Sequence, residues 1–207
     1  MIVTISREYG AAGRAVTHAL AEHVGYRILD EELAVAVAAR LGTSPDVVEG
    51  TEVRATGFGQ RLLRSLSAAI PEELAPNAEI DDLARSVQRE IERLMHAAAD
   101  RDDVIVVGRL GNVVLRERPN LLRVFLTAPL PWRVAHIAES LSCAPDAARA
   151  EIARVDGGRR NSARERYDAV WGDPHEYDLV VDVARFGIGG AVDVIAAAKR
   201  AREGALG

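Results

Sequence analysis

Short apolar runs alternate along the chain with segments in which apolar residues recur at helical spacing. The runs, four to six residues long and several of them rich in β-branched side chains, predict five strands, at Ile2–Ile5, Tyr26–Leu29, Val104–Val107, Leu122–Thr127 and Leu179–Val183. Helical patterns follow most of the runs, among them Glu31–Leu41, which Gly42 ends, and Ala191–Ala201. Such alternation predicts a doubly wound five-stranded parallel sheet with helices on both faces.

Residues 44–100 depart from this alternation. Ser44-Pro45-Asp46 reads as a helix start, and apolar residues recur at helical spacing from Ile80 to Met95. A crossover of that length predicts an inserted helical block that covers one side of the sheet. The 207 residues therefore form one domain, with a core at 1–43 and 101–207.

The first strand leads into a loop of small residues and then into a helix. A strand, a glycine-containing loop and a helix N-terminus together predict phosphate binding, because backbone N–H groups and the helix dipole both favour an anion there. The candidate residues for the phosphates of a donor nucleotide are Tyr9, Gly10, Ala11, Ala12, Gly13, Arg14, Ala15 and Thr17.

The loop departs from the strict pattern G-x-x-x-x-G-K-[ST]. With Gly13 as the second glycine, Glu8 stands at the first glycine, Arg14 at the lysine and Ala15 at the hydroxyl position. Of 26 lysines and arginines only Lys199 is a lysine, so a phosphate-binding cation must come from Arg14 or Arg7. Thr17 and Ser6 carry the nearest hydroxyls for magnesium. The alternative is a tight turn that binds nothing.

Composition narrows the class of protein. An apolar content of 48% and a charged content of 28% are ordinary for a globular chain, and a net charge of −5 argues against general nucleic-acid binding. The single cysteine, Cys143, excludes an internal disulfide and a cysteine-based zinc site, and the five histidines lack metal-ligand spacing. Without a targeting segment or a membrane-spanning run, the expected location is the cytoplasm.

Two further positions follow strand ends. Asp30 follows the second strand. It either lies near a bound acceptor molecule or near a magnesium-bound water, or it is the N-cap of the next helix. Arg109 follows the third strand. An arginine-rich helical stretch begins at Pro145 and is expected to be interrupted at Gly157-Gly158, where a hinge would let it move as a lid.

Three segments carry a resemblance to a known family. SREYGAAGR, VVGRLGNVVLRERPNLLRVFLTAPLPWRV and DGGRRNSARERYDAVWGDPHEYDLVVD resemble the variant phosphate loop, the GRD-type segment and the arginine-rich lid of the cytidylate kinase-like family. That family belongs to the nucleoside monophosphate kinase branch of the P-loop phosphotransferases. The resemblance implies a P-loop NTPase-like fold, with a helical monophosphate-side block and a lid at about 150–175, that uses ATP and Mg²⁺.

The resemblance also implies roles for particular residues. Arg109 would bind the acceptor monophosphate, although Leu110 replaces the aspartate that follows it in the family. Arg159, Asn161 and Arg164 match the lid spacing R-x-N-x-x-R. Arg14, Arg159 and Arg164 would then be catalytic, and Asp30, Arg109 and Asn161 would contact the acceptor.

The implied reaction is ATP-dependent phosphoryl transfer to a small nucleotide, CMP or dCMP first. The alternatives are a nucleotide-binding regulatory protein with little turnover and a kinase of a non-nucleotide small molecule. The implied partner is thus a small molecule, neither nucleic acid nor membrane.

Overall fold

All five strands form one parallel sheet. The computed structural model describes residues 1–42, 77–101 and 103–205. The sheet order is β2-β3-β1-β4-β5, so β1 lies in the centre and pairs with β3 and β4. The strands are β1 (Ile2–Arg7), β2 (Arg27–Leu29), β3 (Val104–Val107), β4 (Leu121–Thr127) and β5 (Leu179–Asp182). The sheet predicted from the apolar runs is confirmed.

Helices connect the strands. They are α1 (Gly13–Val24), α2 (Glu31–Leu41), α3 (Asn77–Ala99), α4 (Gly111–Val114), α5 (Leu130–Ser140), α6 (Pro145–Tyr167) and α7 (Val183–Gly204), with a short 3₁₀ turn at Pro174–Glu176. None of the described helices is both long and apolar enough to cross a bilayer.

The two faces of the sheet bury separate hydrophobic cores. On one face Val3 and Ile5 of β1 pack with side chains of α1 and α7, such as Leu20 and Ile195. On the other face Ile2 joins residues of α2 and α3. Successive residues of a strand point to opposite faces, so a strand covered on both sides must be apolar throughout. The doubly wound architecture follows from this pattern.

The structure corrects several predicted boundaries. Helix α6 runs without a break through Gly157-Gly158, so the predicted interruption is wrong. Burial of Ile152, Asp156 and Ala163 holds the helix on both sides of the glycines and offsets their low helix propensity. Helix α7 begins at Val183, eight residues before the predicted start at Ala191, with a kink at Gly187.

The inserted block is described only in part. Its last segment is the 23-residue helix α3, as the spacing of Ile80 to Met95 predicts. The helical prediction for residues 44–76 lies outside the described residues.

Three strand ends meet at one edge of the sheet. The loop before α1 follows β1, Asp30 follows β2, and Gly108-Arg109 follows β3. Since all strands are parallel, their carboxyl ends form one crevice, where ligands of open α/β sheets bind.

Candidate active site

The loop after β1 leaves the start of α1 open to an anion. Gly10 has a φ of 86° and Ala12 a φ of 51°, and Ala12 caps α1 without a side-chain hydrogen bond. The first N–H groups of a helix have no intrahelical partner, and a phosphate is a suitable acceptor for them. A Cβ atom at Gly10 would lie 3.0 Å from Cγ1 of Ile137, so a glycine is needed for the loop to pack on α5.

A buried ion pair holds the loop after β1 in place. Arg133 of α5 and Asp156 of α6 are almost fully buried and lie 2.8 Å apart, Nη1 to Oδ2. Asp156 accepts the Tyr9 N–H at 2.9 Å, and Arg133 donates to the Tyr9 carbonyl at 3.2 Å and to the Ala128 carbonyl at 3.0 Å. The pair therefore joins the loop to both helices that follow β4.

Arg159 extends this network into the site. It donates to the Arg7 carbonyl at 2.8 Å and lies 3.3 Å from Asp156, and its guanidinium is 5.9 Å and 6.0 Å from the ring centres of Tyr9 and Trp171. Burial and the nearby positive charge of Arg7 lower the pKa of Arg159 to about 10, against the opposing effect of Asp156. The guanidinium is still charged near neutral pH.

A cavity of about 380 Å³ opens beside the start of α1. Its lining residues come from β1, α1 and the ends of β2 and β3, and they are Arg7, Arg14, Thr17, His18, Ile28, Asp30 and Val107. Asp30 occupies the N-cap position of α2 but makes no capping hydrogen bond with its side chain. Its carboxylate acts instead on the charge of Arg7, which supports the functional interpretation of Asp30.

The structure brings four of the predicted residues together. Arg14, Thr17 and Asp30 line one cavity, and Arg109, with a φ of 49°, is close enough to Arg7 to lower its pKa. Arg109 lies in a run of three positive φ values with Gly108 and Leu110, a strained arrangement for nonglycine residues.

Other predicted residues lie apart from the cavity lining. Asn161 is half-buried, and Arg164 is exposed one turn or more beyond Arg159. The Tyr9 ring packs against the small apolar cluster of α5 and α6. Among the loop alanines, Ala11 is buried and Ala15 is exposed.

Sequence reasoning did not identify the two buried residues that hold the loop. Arg133 and Asp156 both lie in arginine-containing helical stretches, where a charged residue is usually solvated. Their buried pairing depends on how α5 packs on α6, and the local sequence pattern does not predict it. Arg7, considered only as a substitute for Arg14, lines the cavity as well.

The far end of α6 contacts the helical block. The Tyr167 hydroxyl donates to Glu92 and accepts from Gln88, and Arg166 donates to the Gln88 side-chain oxygen. Burial and the neighbouring Glu92 raise the pKa of Tyr167, so its hydroxyl stays protonated. The arginine-rich helix thus spans from the loop after β1 to α3.

The cavity also contains groups that suit magnesium. The Thr17 hydroxyl donates to the Gly13 carbonyl at 2.8 Å, which leaves its oxygen lone pairs available, and Asp30 offers a carboxylate. Magnesium usually binds through one or two carboxylates together with phosphate oxygens and water. These two residues therefore fit the ion.

Comparison with known proteins identifies the family. A model described as the cytidylate kinase-like family matches residues 2–185. The chain belongs to the cytidylate kinase-like family.

Curated relatives support the same assignment. A cytidylate kinase of Halobacterium salinarum is 29% identical over 197 residues, which cover 94% of this chain and 87% of the relative. A cytidylate kinase of Haloarcula marismortui is 31% identical over 140 residues, covering 66% of this chain and 71% of the relative.

Solved structures show the same fold. A protein of Eubacterium ventriosum with no described function aligns over 97% of this chain and 98% of its own, with a TM-score of 0.69 and 17% identity. The shikimate kinase of Bacteroides thetaiotaomicron aligns over 94% and 96%, with a TM-score of 0.50 and 11% identity. At these identities the likeness concerns the fold, which is that of P-loop kinases.

This protein is therefore a phosphotransferase. The family and the kinase fold together support nucleotide kinase activity.

Proposed function

We propose that this kinase transfers the terminal phosphoryl group of ATP to a pyrimidine nucleoside monophosphate, CMP or dCMP first. The observation that carries the proposal is the convergence of Arg7, Arg14, Thr17 and Asp30 on one cavity, at the ends of strands that also present Arg109. The curated relatives, which are cytidylate kinases, supply the nucleotide class.

Each residue has a role in this proposal. Gly10, Gly13 and Arg14 hold the donor phosphates at the start of α1. Arg109 holds the acceptor phosphate, and Arg159 faces the group in transfer. Asn161 and Arg164 contribute from the lid helix α6. Positioning and positive charge are the main requirements of phosphoryl transfer, and this set of arginines provides both.

The reaction balances as a simple displacement. An oxygen of the acceptor phosphate forms a bond to the terminal phosphorus of ATP, while the bond from that phosphorus to the bridging oxygen breaks and ADP leaves. During transfer, the negative charge of the phosphoryl group lies on its three equatorial oxygens, to which guanidinium groups donate hydrogen bonds. Asp30 and Thr17 would hold magnesium, which would neutralise charge on the donor phosphates when bound.

A panel of acceptors with labelled ATP tests the proposal. The expected result is label transfer to CMP and dCMP, with little transfer to shikimate-like alcohols. Transfer only to an alcohol indicates a kinase of a non-nucleotide small molecule. Binding of ATP without transfer to any acceptor indicates a regulatory nucleotide-binding protein.

The same panel tests base selectivity. Leu110 offers no hydrogen bond at the position where the family has an aspartate, and a site without a buried polar partner discriminates weakly. We expect kcat/KM for CMP, dCMP and UMP to differ by less than about 100-fold. A preference of several orders of magnitude for one of them would show that the selectivity comes from other residues.

Removal of Arg109 should affect all acceptors alike. The residue meets the phosphate, which every monophosphate shares, so Arg109→Ala should raise each acceptor KM by a similar factor of about 10 to 100. Arg101→Ala, which changes an exposed arginine before the opposite end of β3, is the control and should leave KM unchanged. An effect confined to one base would contradict the assignment of Arg109.

A further inference from the structure

Arg7 is the last residue of β1, and its side chain lies in a channel made by two glycines. A Cβ atom at Gly13, the first residue of α1, would lie 2.7 Å from Cγ of Arg7. A Cβ atom at Gly108, at the end of β3, would lie 2.3 Å from Nη1 of Arg7. Both distances are shorter than real Cβ contacts, so a side chain at either position would displace Arg7, by its aliphatic stem at Gly13 and by its guanidinium at Gly108.

Among the backbone and side-chain groups that the structure describes, none accepts a hydrogen bond from the guanidinium of Arg7 or forms an ion pair with it, although the backbone carbonyl of Arg7 accepts from Arg159. Burial lowers the pKa of Arg7, the carboxylate of Asp30 opposes this effect, and the charge of Arg109 adds to it. A largely buried cation with unused donors is unfavourable unless an anion binds to it.

The sequence pattern gives the reason for this arrangement. With Gly13 as the second glycine of the pattern G-x-x-x-x-G-K-[ST], Arg7 lies one residue before the position of the first glycine, at the end of β1. Its cation therefore reaches the loop from the strand, whereas the lysine of the pattern reaches it from the helix. The side chain of Arg7 crosses the space that a side chain at Gly13 would fill.

Arg14 is less suited to the same task. It lines the cavity too, but it is an exposed residue of the first turn of α1, whereas Arg7 lies beneath that turn. A buried guanidinium interacts with phosphate more strongly than an exposed one, because solvent screens it less.

We propose that Arg7 is the residue that binds the donor phosphates in place of the P-loop lysine, and that Gly13 and Gly108 are required because they admit its side chain. The inference rests on the proposed function for the identity of the donor, ATP. It adds a phosphate-binding residue to the loop and gives a role to two glycines.

Calorimetric titration with ATP tests the inference. Arg7→Ala should weaken ATP binding by about 10- to 100-fold, more than Arg14→Ala does, because a charge-assisted contact with phosphate is lost. Arg27→Ala, at the exposed amino end of β2, is the control and should bind ATP normally. Unchanged affinity in Arg7→Ala, or a larger loss in Arg14→Ala, would overturn the assignment.

Thermal unfolding distinguishes binding from a structural role. Alanine keeps the carbonyl that Arg159 uses and removes an unpaired charge, so the Tm of Arg7→Ala without nucleotide should be equal to or above that of the wild type. The Tm increase on adding ATP should be reduced. A fall in Tm without nucleotide, together with a normal increase on adding ATP, would show that Arg7 only supports packing.

A double-mutant cycle tests the channel. Gly13 is helical, so Gly13→Ala is compatible with its backbone, yet the new Cβ forces Arg7 to move and should weaken ATP binding. In the Arg7→Ala background the same change should have a much smaller effect, since the Cγ contact at 2.7 Å is gone and only the Cβ contact at 3.1 Å remains. Additive losses would contradict the proposed channel.

These results separate the inference from the proposed function. If ATP binding depends on Arg7 but no monophosphate is phosphorylated, the inferred role of Arg7 stands and the proposed function is refuted. Phosphorylation of CMP that survives Arg7→Ala, with unchanged ATP affinity, would refute the role of Arg7 alone.

Discussion

The Arg159→Ala variant is expected to lose about 10³-fold or more in kcat while its KM values change much less, as removal of a transition-state arginine does in other phosphotransferases. The guanidinium is already in place in the structure, where the Arg7 carbonyl, Asp156 and two aromatic rings hold it beside the phosphate loop. A preorganised cation stabilises charge in the transition state without a further ordering cost. Steady-state kinetics with ATP and CMP measure the effect.

Two neighbouring arginines serve as comparisons. Arg160→Ala changes the next residue of α6, which is exposed, and should leave kcat within about twofold because a solvated charge is screened. Arg164→Ala tests the other lid residue, for which we also predict a fall in kcat larger than the rise in KM. A loss of substrate binding in Arg159→Ala with unchanged kcat would contradict the transition-state role.

Replacing Asp156 with alanine is expected to lower the free energy of unfolding by about 3–5 kcal/mol. The change removes the nearer of the two carboxylates of the buried Arg133 guanidinium, which keeps only Glu8 at 3.3 Å, and it leaves the Tyr9 N–H without its acceptor. Because the same carboxylate fixes the loop, ATP affinity should fall as well. Urea unfolding at neutral pH measures the first effect, and calorimetry measures the second.

The same helix offers a matched control. Glu151 and Arg154 form an ion pair at 2.6 Å on the outer side of α6, and Glu151→Ala should change stability by less than about 1 kcal/mol because solvent screens that pair. Asp156→Asn keeps the shape and an oxygen acceptor, so it should fold and lose less than the alanine variant. Equal stability of Asp156→Ala and Glu151→Ala would show that the buried pair does not hold the loop.

The sequence predicts the class of sheet but not the order of its strands. Continuous apolar runs such as Val104–Val107 indicate strands covered on both faces, and this local signal was sufficient to predict five parallel strands. Which strands are neighbours depends on crossovers between distant segments, and the central position of β1 appears only in the assembled sheet.

The glycines of α6 show the limit of local propensity. Gly157-Gly158 predicts a break, because glycine is a poor helix former. Burial on either side, at Asp156 and Ala163, decided otherwise. Tertiary packing stabilises this helix more than its intrinsic propensity weakens it.

The sequence by itself determined the fold class and located the small-residue loop after the first strand and the arginine-rich stretch after Pro145, because apolar periodicity and turn residues act over a few positions. Only the tertiary structure decided which cations face the cavity. Arg7 and Arg14 are equivalent candidates in the sequence, and they differ once Gly13 and Gly108 are seen to enclose one of them. The pairing of Arg133 with Asp156 likewise joins residues 23 positions apart. Burial, and hence the strength of a charge, is a property of the assembled chain.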